Sequence, residues 1–85
     1  FGSRGNESGQ FNEPDGVCID NQGRIIISDA LNDRLQAFTH DGYHISSFHC
    51  GAHVRPCAVA FDSHRGLIAF LTDPCVHVIG TNQWL

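Results

Sequence analysis

The sequence predicts an all-β protein built from two consecutive copies of one small antiparallel sheet. Two observations carry this. Apolar runs are short, four to six residues, and each is cut off by glycine or by Asx-containing turn segments. The second half of the chain also repeats the first. Pro14-Asp15-Gly16-Val17-Cys18-Ile19-Asp20 aligns with Pro56-Cys57-Ala58-Val59-Ala60-Phe61-Asp62, 42 residues on, and Gly23-Arg24-Ile25 aligns with Gly66-Leu67-Ile68 at 43. Asp29 is matched with Asp73 at 44, and Leu35–Phe38 with Val76–Ile79 at 41. A period in the low forties carrying four short strands is the signature of a β-propeller blade.

The elements follow in order. Val17–Asp20 is predicted as the innermost strand, Ile25–Ser28 as the second, Arg34–Phe38 as the third and Tyr43–Phe48 as the fourth. The first two are apolar on both faces, as sheets stacked on either side require. The fourth is the most polar and suits an outer strand facing water. Asn21-Gln22-Gly23 and His40-Asp41-Gly42 read as turns, because Gly takes positive φ and Asx side chains bond their own backbone. In the second copy Cys57–Asp62, Leu67–Thr72 and Cys75–Ile79 are strands, and no clear fourth strand follows before Leu85. The predicted units are residues 1–48, a full blade, and 49–85, a partial one. One such sheet buries neither face alone and two hide only the face between them, so the unit requires siblings in a ring.

At 85 residues with 41% hydrophobic and 16% charged content, the composition fits a folded globular chain and excludes a disordered one. No apolar run approaches the roughly 18 residues of a membrane span, so no membrane partner is expected. The formal charge is −4, and the five basic residues are all arginine. A phosphate-gripping domain shows the opposite balance. The chain lacks methionine and opens in mid-pattern at Phe1-Gly2-Ser3-Arg4-Gly5, which leads us to expect a piece of a larger protein.

Phe1-Gly2, Gly9-Gln10-Phe11, Pro14, Gly16-Val17, Asp20, Gly23, Asp29, Asn32, Arg34-Leu35 and Phe38 together resemble the NHL repeat. The second unit keeps Pro56, Val59, Asp62, Gly66 and Asp73 but has Pro74-Cys75 where Asn and Arg would stand. The wording of Phe1–Phe11 is similar to the propeller of tripartite-motif (TRIM-NHL) ubiquitin ligases. That resemblance implies a six-bladed propeller at the C-terminal end of a longer protein, of which these are the last two blades. It also implies RING, B-box and coiled-coil segments upstream, which would hold any zinc. It implies a cytoplasmic, non-catalytic recognition module that binds protein partners or single-stranded RNA and packs against the remaining blades. On the same analogy Leu85 lies near the natural C-terminus. The runner-up is an enzyme, an NHL-like lyase whose axial metal is held by other blades, since Val17–Asp20 and Val59–Asp62 offer no histidine. A purely architectural repeat is the third reading.

The predicted binding face collects the loops that enter the innermost strands: Glu13 and Asp15, Arg55, and the turn residues Asp33 and Arg34. Three acids against two bases make a poor phosphate surface. Asp20, Gly23, Asp29, Asn32, Gly42, Asp62, Gly66 and Asp73 are assigned to turns. Among them Asn32 is expected to take the left-handed conformation, with Arg34 paired to Asp29. Tyr43 and Phe48 are expected to pack. His49, Cys50, His53 and Cys57 have metal-ligand chemistry but lack the tight paired spacing of structural zinc sites, so no metal, cofactor or catalytic residue is assigned here. Cys18 and Cys75 are read as strand thiols in the reduced state.

Overall fold

A computed structural model describes all 85 residues. The strands are β1 (Ser3–Arg4), β2 (Gln10–Phe11), β3 (Pro14–Ile19), β4 (Ile25–Asp29), β5 (Arg34–Phe38), β6 (His44–His49), β7 (Ala58–Asp62), β8 (Leu67–Leu71) and β9 (Val76–Gly80); a short helix α1 (Thr81–Trp84) ends the chain. They form an antiparallel four-stranded sheet β3-β4-β5-β6, an antiparallel three-stranded sheet β7-β8-β9, and a two-residue parallel ladder β1-β2. The all-β blade architecture holds, and all seven predicted strands are present.

The two sheets stack with innermost strands β3 and β7 together. The register explains what meets there. In the first sheet the rows Cys18–Ile26–Ala37–Ser46 and Gly16–Ser28–Leu35–Phe48 lie on one face. In the second, Val59–Phe70–His77 and Phe61–Ile68–Ile79 lie on the opposing face. Ile26, Leu35, Ala37, Ile68 and Phe70 form the core, with Val59, Phe61, Phe48, Trp84 and Leu85 packed around them. Small residues on the inner strand of one sheet meet large ones on the other. Gly16 shows why: a Cβ there would sit 3.0 Å from Ala58 Cα and 3.2 Å from the Val59 nitrogen. The backbones approach where only glycine fits.

The inner part of each outward face remains open. Val17 and Ile19 are 63% and 62% exposed on the first sheet, and Val76 and Val78 are 67% and 57% exposed on the second. Apolar side chains clustered in the open on a sheet face mark a contact surface.

Residues 1–12 run as a strap over the outer half of the first sheet. Phe1 and Phe11 close over Phe38 at centroid distances of 4.8 and 5.5 Å. Neither this strap ladder nor α1 was expected from the sequence. The innermost strand starts at Pro14, because Pro14 pairs with Asp29 across a bulge before Gly16.

Three expectations are corrected. The counterpart of Asp29 is Thr72, not Asp73: Ile27 pairs with Val17 and Gln36, Phe70 pairs with Val59 and His77, and two residues beyond each stand Asp29 and Thr72. Thr72 is buried as Asp29 is, whereas Asp73 is exposed. Cys75 lies outside β9 and is exposed. Tyr43 precedes β6 and is 73% exposed rather than packed, while Phe48 does pack, 6.0 Å from Phe70 and 5.8 Å from Trp84.

Candidate interaction rim

Strand direction puts four connections on one rim of the stack: residues 12–13 entering β3, 30–33 between β4 and β5, 50–57 linking the sheets, and 72–75 between β8 and β9. Two devices hold this rim.

The first is a buried polar node. Asp29 Oδ1 accepts the Asn12 N–H at 2.7 Å. Its Oδ2 accepts Asn32 Nδ2 at 2.9 Å, Arg34 Nε at 2.9 Å and Gln36 Nε2 at 3.1 Å. Arg34 Nη2 then donates to the carbonyls of Glu7 and Gln10, both at 2.9 Å. Gln36 Nε2 donates to the Gln10 carbonyl at 2.7 Å, its Oε1 accepts the Gly9 N–H at 3.0 Å, and Asn32 Nδ2 reaches the Gly5 carbonyl at 2.8 Å. No buried side-chain nitrogen or oxygen is left without a partner. A buried ion pair adds little net stability, but breaking one leaves an uncompensated charge. The node therefore fixes geometry.

The second device is Asp33. It takes the left-handed conformation, φ 56° and ψ 39°, that was expected of Asn32. Asn32 instead spends its amide on Asp29 and the strap. Asp33 Oδ2 accepts the His53 N–H at 3.0 Å, Oδ1 accepts the Arg55 N–H at 3.1 Å, and its carbonyl accepts the Cys50 N–H at 2.9 Å. One residue thus ties the linker to the first sheet. Glu13, Asp33, His53 and Arg55, all with φ between 55° and 59°, are the non-glycine residues with positive φ, and all four lie on this rim.

Of the residues proposed for binding, Glu13, Asp15 and Arg55 are exposed here. Asp33 is half-buried with its carboxylate engaged. Arg34 is 5% exposed and points into the node, so it does not present its charge to a partner. Gln36, fully buried in the node, was missed; a glutamine inside the apolar run Leu35–Phe38 was the available signal. No three of the His, Cys, Asp and Glu side chains, those of 49–57 included, converge on one metal position.

The turn residues behave as a repeated pair on the opposite rim. Asp20 Oδ1 accepts the N–H groups of Gln22 and Arg24, both at 2.9 Å, and its Oδ2 accepts Arg24 Nε. Asp62 Oδ1 accepts those of His64 at 2.9 Å and Arg65 at 3.3 Å, and its Oδ2 bonds Arg65 Nη1 at 2.9 Å. The Arg65 hydrogen bond holds the Asp62 carboxyl below its ordinary value. Gly23 and Gly66 follow with φ of 76° and 62°. All four cysteines are free thiols. Burial, then the Asp20 charge, pushes Cys18 up to about 11; burial, then Asp33, does the same for Cys50.

Comparison with known proteins agrees with this architecture. The NHL repeat family matches residues 11–38. Protein lin-41 of Caenorhabditis elegans is 44% identical over 46 residues, 54% of this chain and 4% of that protein. Protein wech of Drosophila melanogaster is 43% identical over 42 residues, 49% of this chain and 5% of that protein. E3 ubiquitin-protein ligase TRIM71 of Xenopus tropicalis is 46% identical over 38 residues, 45% of this chain and 5% of that protein. The chain thus spans only about a twentieth of these relatives. Residues 11–38 are thus similar to the NHL repeat, and about half the chain is similar to TRIM-NHL proteins.

Proposed function

We propose that this chain is a protein-recognition module, acting through the rim that carries Glu13, Asp15 and Arg55, in a TRIM-NHL-like ubiquitin ligase whose substrates it selects. The carrying observation is the combination of exposed charged side chains with a backbone pinned by Asp29 and Asp33. A rigid loop surface loses little entropy on binding. The relatives' names support the ligase context, since one is an E3 ubiquitin-protein ligase.

Protein is favoured over RNA. With Arg34 buried, the exposed bases near this rim are Arg55 and Arg4, which lies in one surface cleft with Glu13, and they are offset by Glu13 and Asp15, whereas phosphate affinity depends on released counterions around an excess of Lys and Arg. Four free thiols support a reducing, cytoplasmic setting. No helix is long and apolar enough to cross a membrane.

The test is quantitative affinity capture with the wild-type chain and a variant carrying Asp15→Arg and Arg55→Glu. A set of captured proteins should drop at least about tenfold with the variant, the scale of one lost interfacial ion pair. Identical capture by both would refute the rim. Single-stranded RNA retained at about 150 mM salt would favour the nucleic-acid reading instead.

A further inference from the structure

We infer that the arginine chemistry of this chain's surface keeps ubiquitin off the recognition module itself, so that transfer is left to the bound partner; the inference rests on the ligase reading. The basic side chains are Arg4, Arg24, Arg34, Arg55 and Arg65. Lysine ranks among the commonest residues of globular proteins, so a basic set made wholly of arginine asks for a reason.

Packing supplies the reason at Arg34 and Arg24. Arg34 uses its fork: Nε donates to Asp29 at 2.9 Å while Nη2 reaches the carbonyls of Glu7 and Gln10, both at 2.9 Å. A lysine ammonium has no such fork. Arg24 is half-buried with its Nε against Asp20. The remaining arginines differ. Arg65 is exposed and makes one side-chain hydrogen bond, from Nη1 to Asp62 Oδ2 at 2.9 Å, which an ammonium makes equally well. Arg4 and Arg55 are exposed and enter none of the chain's salt bridges. Nothing in the geometry at positions 4, 55 or 65 demands a guanidinium.

At an exposed site the two cations differ in nucleophilicity. In ubiquitin transfer an unprotonated primary amine attacks the thioester carbonyl at the ubiquitin C-terminus. A C–N amide bond forms, the C–S bond breaks, the carrier enzyme's thiol leaves, and the surplus proton of the amine passes to water. Near neutral pH about one lysine amine in a thousand is free base, and the guanidine free base is at least about a hundredfold scarcer, with its lone pairs delocalised. Position makes this difference matter. Arg55 shares its rim with Glu13 and Asp15, the surface assigned to the partner, so an amine there would lie in the region that the thioester must reach. Arginine keeps the positive charge for recognition and withholds the amine.

The experiment uses the complete ligase carrying this chain, with its carrier enzyme, ATP and ubiquitin. Wild type is compared with a variant carrying Arg4→Lys, Arg55→Lys and Arg65→Lys, and with each single exchange. Peptide mass spectrometry locates the Gly-Gly remnant that trypsin leaves on a modified residue. Wild type should carry no remnant within residues 1–85. The triple variant should gain one at position 4, 55 or 65, and its own share of ubiquitin should rise relative to the captured partner's. Remnants elsewhere in the ligase with all three positions bare would overturn the inference and leave the ligase reading standing. So would hydroxylamine-labile ubiquitin on wild-type residues 1–85, because a hydroxyl or the exposed Cys75 thiol would then replace the amine. No transfer to any protein would refute the ligase reading, and this inference with it. A melting temperature matching wild type shows that the new amines report exposure rather than unfolding, and the single exchanges decide where the triple variant melts early.

Discussion

Asp29 is the residue on which most of the first sheet's polar geometry turns. It serves four donors from Asn12, Asn32, Arg34 and Gln36. Asp29→Ala strands a buried guanidinium and should cost about 3–5 kcal/mol, read as a fall in the denaturation midpoint. An unchanged midpoint would mean that the node is ornamental. The Asp29–Arg34 pairing was legible in the sequence, because the two flank a tight turn. The left-handed residue was not: Asn32 and Asp33 are both Asx residues that tolerate that conformation, and only the linker that bonds the Asp33 carboxylate decides between them. Thiol reactivity is a second test at this scale. Cys18 and Cys50 are held near 11, against about 9 for an ordinary thiol, so their thiolate fraction at pH 8 is about a hundredfold smaller. Exposed Cys75 should label with a thiol reagent well before either. Equal rates at all sites would contradict the burial.

At the scale of elements, the turn aspartates show how a repeat wears. Asp20 is 5% exposed with Arg24 folded onto it, whereas the Asp62–Arg65 pair is solvent-exposed. Asp20→Ala should cost about 1.5–3 kcal/mol, the scale of hydrogen bonds to a charged group. Asp62→Ala should shift the midpoint less, since exposed pairs are screened. The reverse order would undo the burial argument. Strand identity was readable because apolar runs and glycine turns coincide in both copies. The third-strand approach of the second copy was not: matching Asp29 to Asp73 by residue type overrode the ladder, which advances one residue less and delivers Thr72. Thr72 Oγ1 with His77 Nε2 at 2.9 Å stands where Asp29 bonds Gln36. The strap was invisible because its two-residue strands carry no period.

The whole molecule is two stacked sheets around one shared core, with the strap over the outer half of the first sheet's outward face. The pH profile follows from the same core. The folded chain binds the Cys18 and Cys50 protons more tightly than the unfolded chain does. Their contribution is complete below about pH 9 and fades as pH climbs toward about 11, so the melting temperature should decline over that interval. A flat profile there would place both thiols in water.

The strap is gripped by its main chain: every bond from Asn32, Arg34 and Gln36 to residues 5–10 lands on a carbonyl or an amide. The positions between the contacts are therefore free to drift in evolution. Ser3, Arg4, Asn6 and Ser8, all solvent-facing, are natural places to graft a foreign epitope or a fluorophore without disturbing the scaffold beneath.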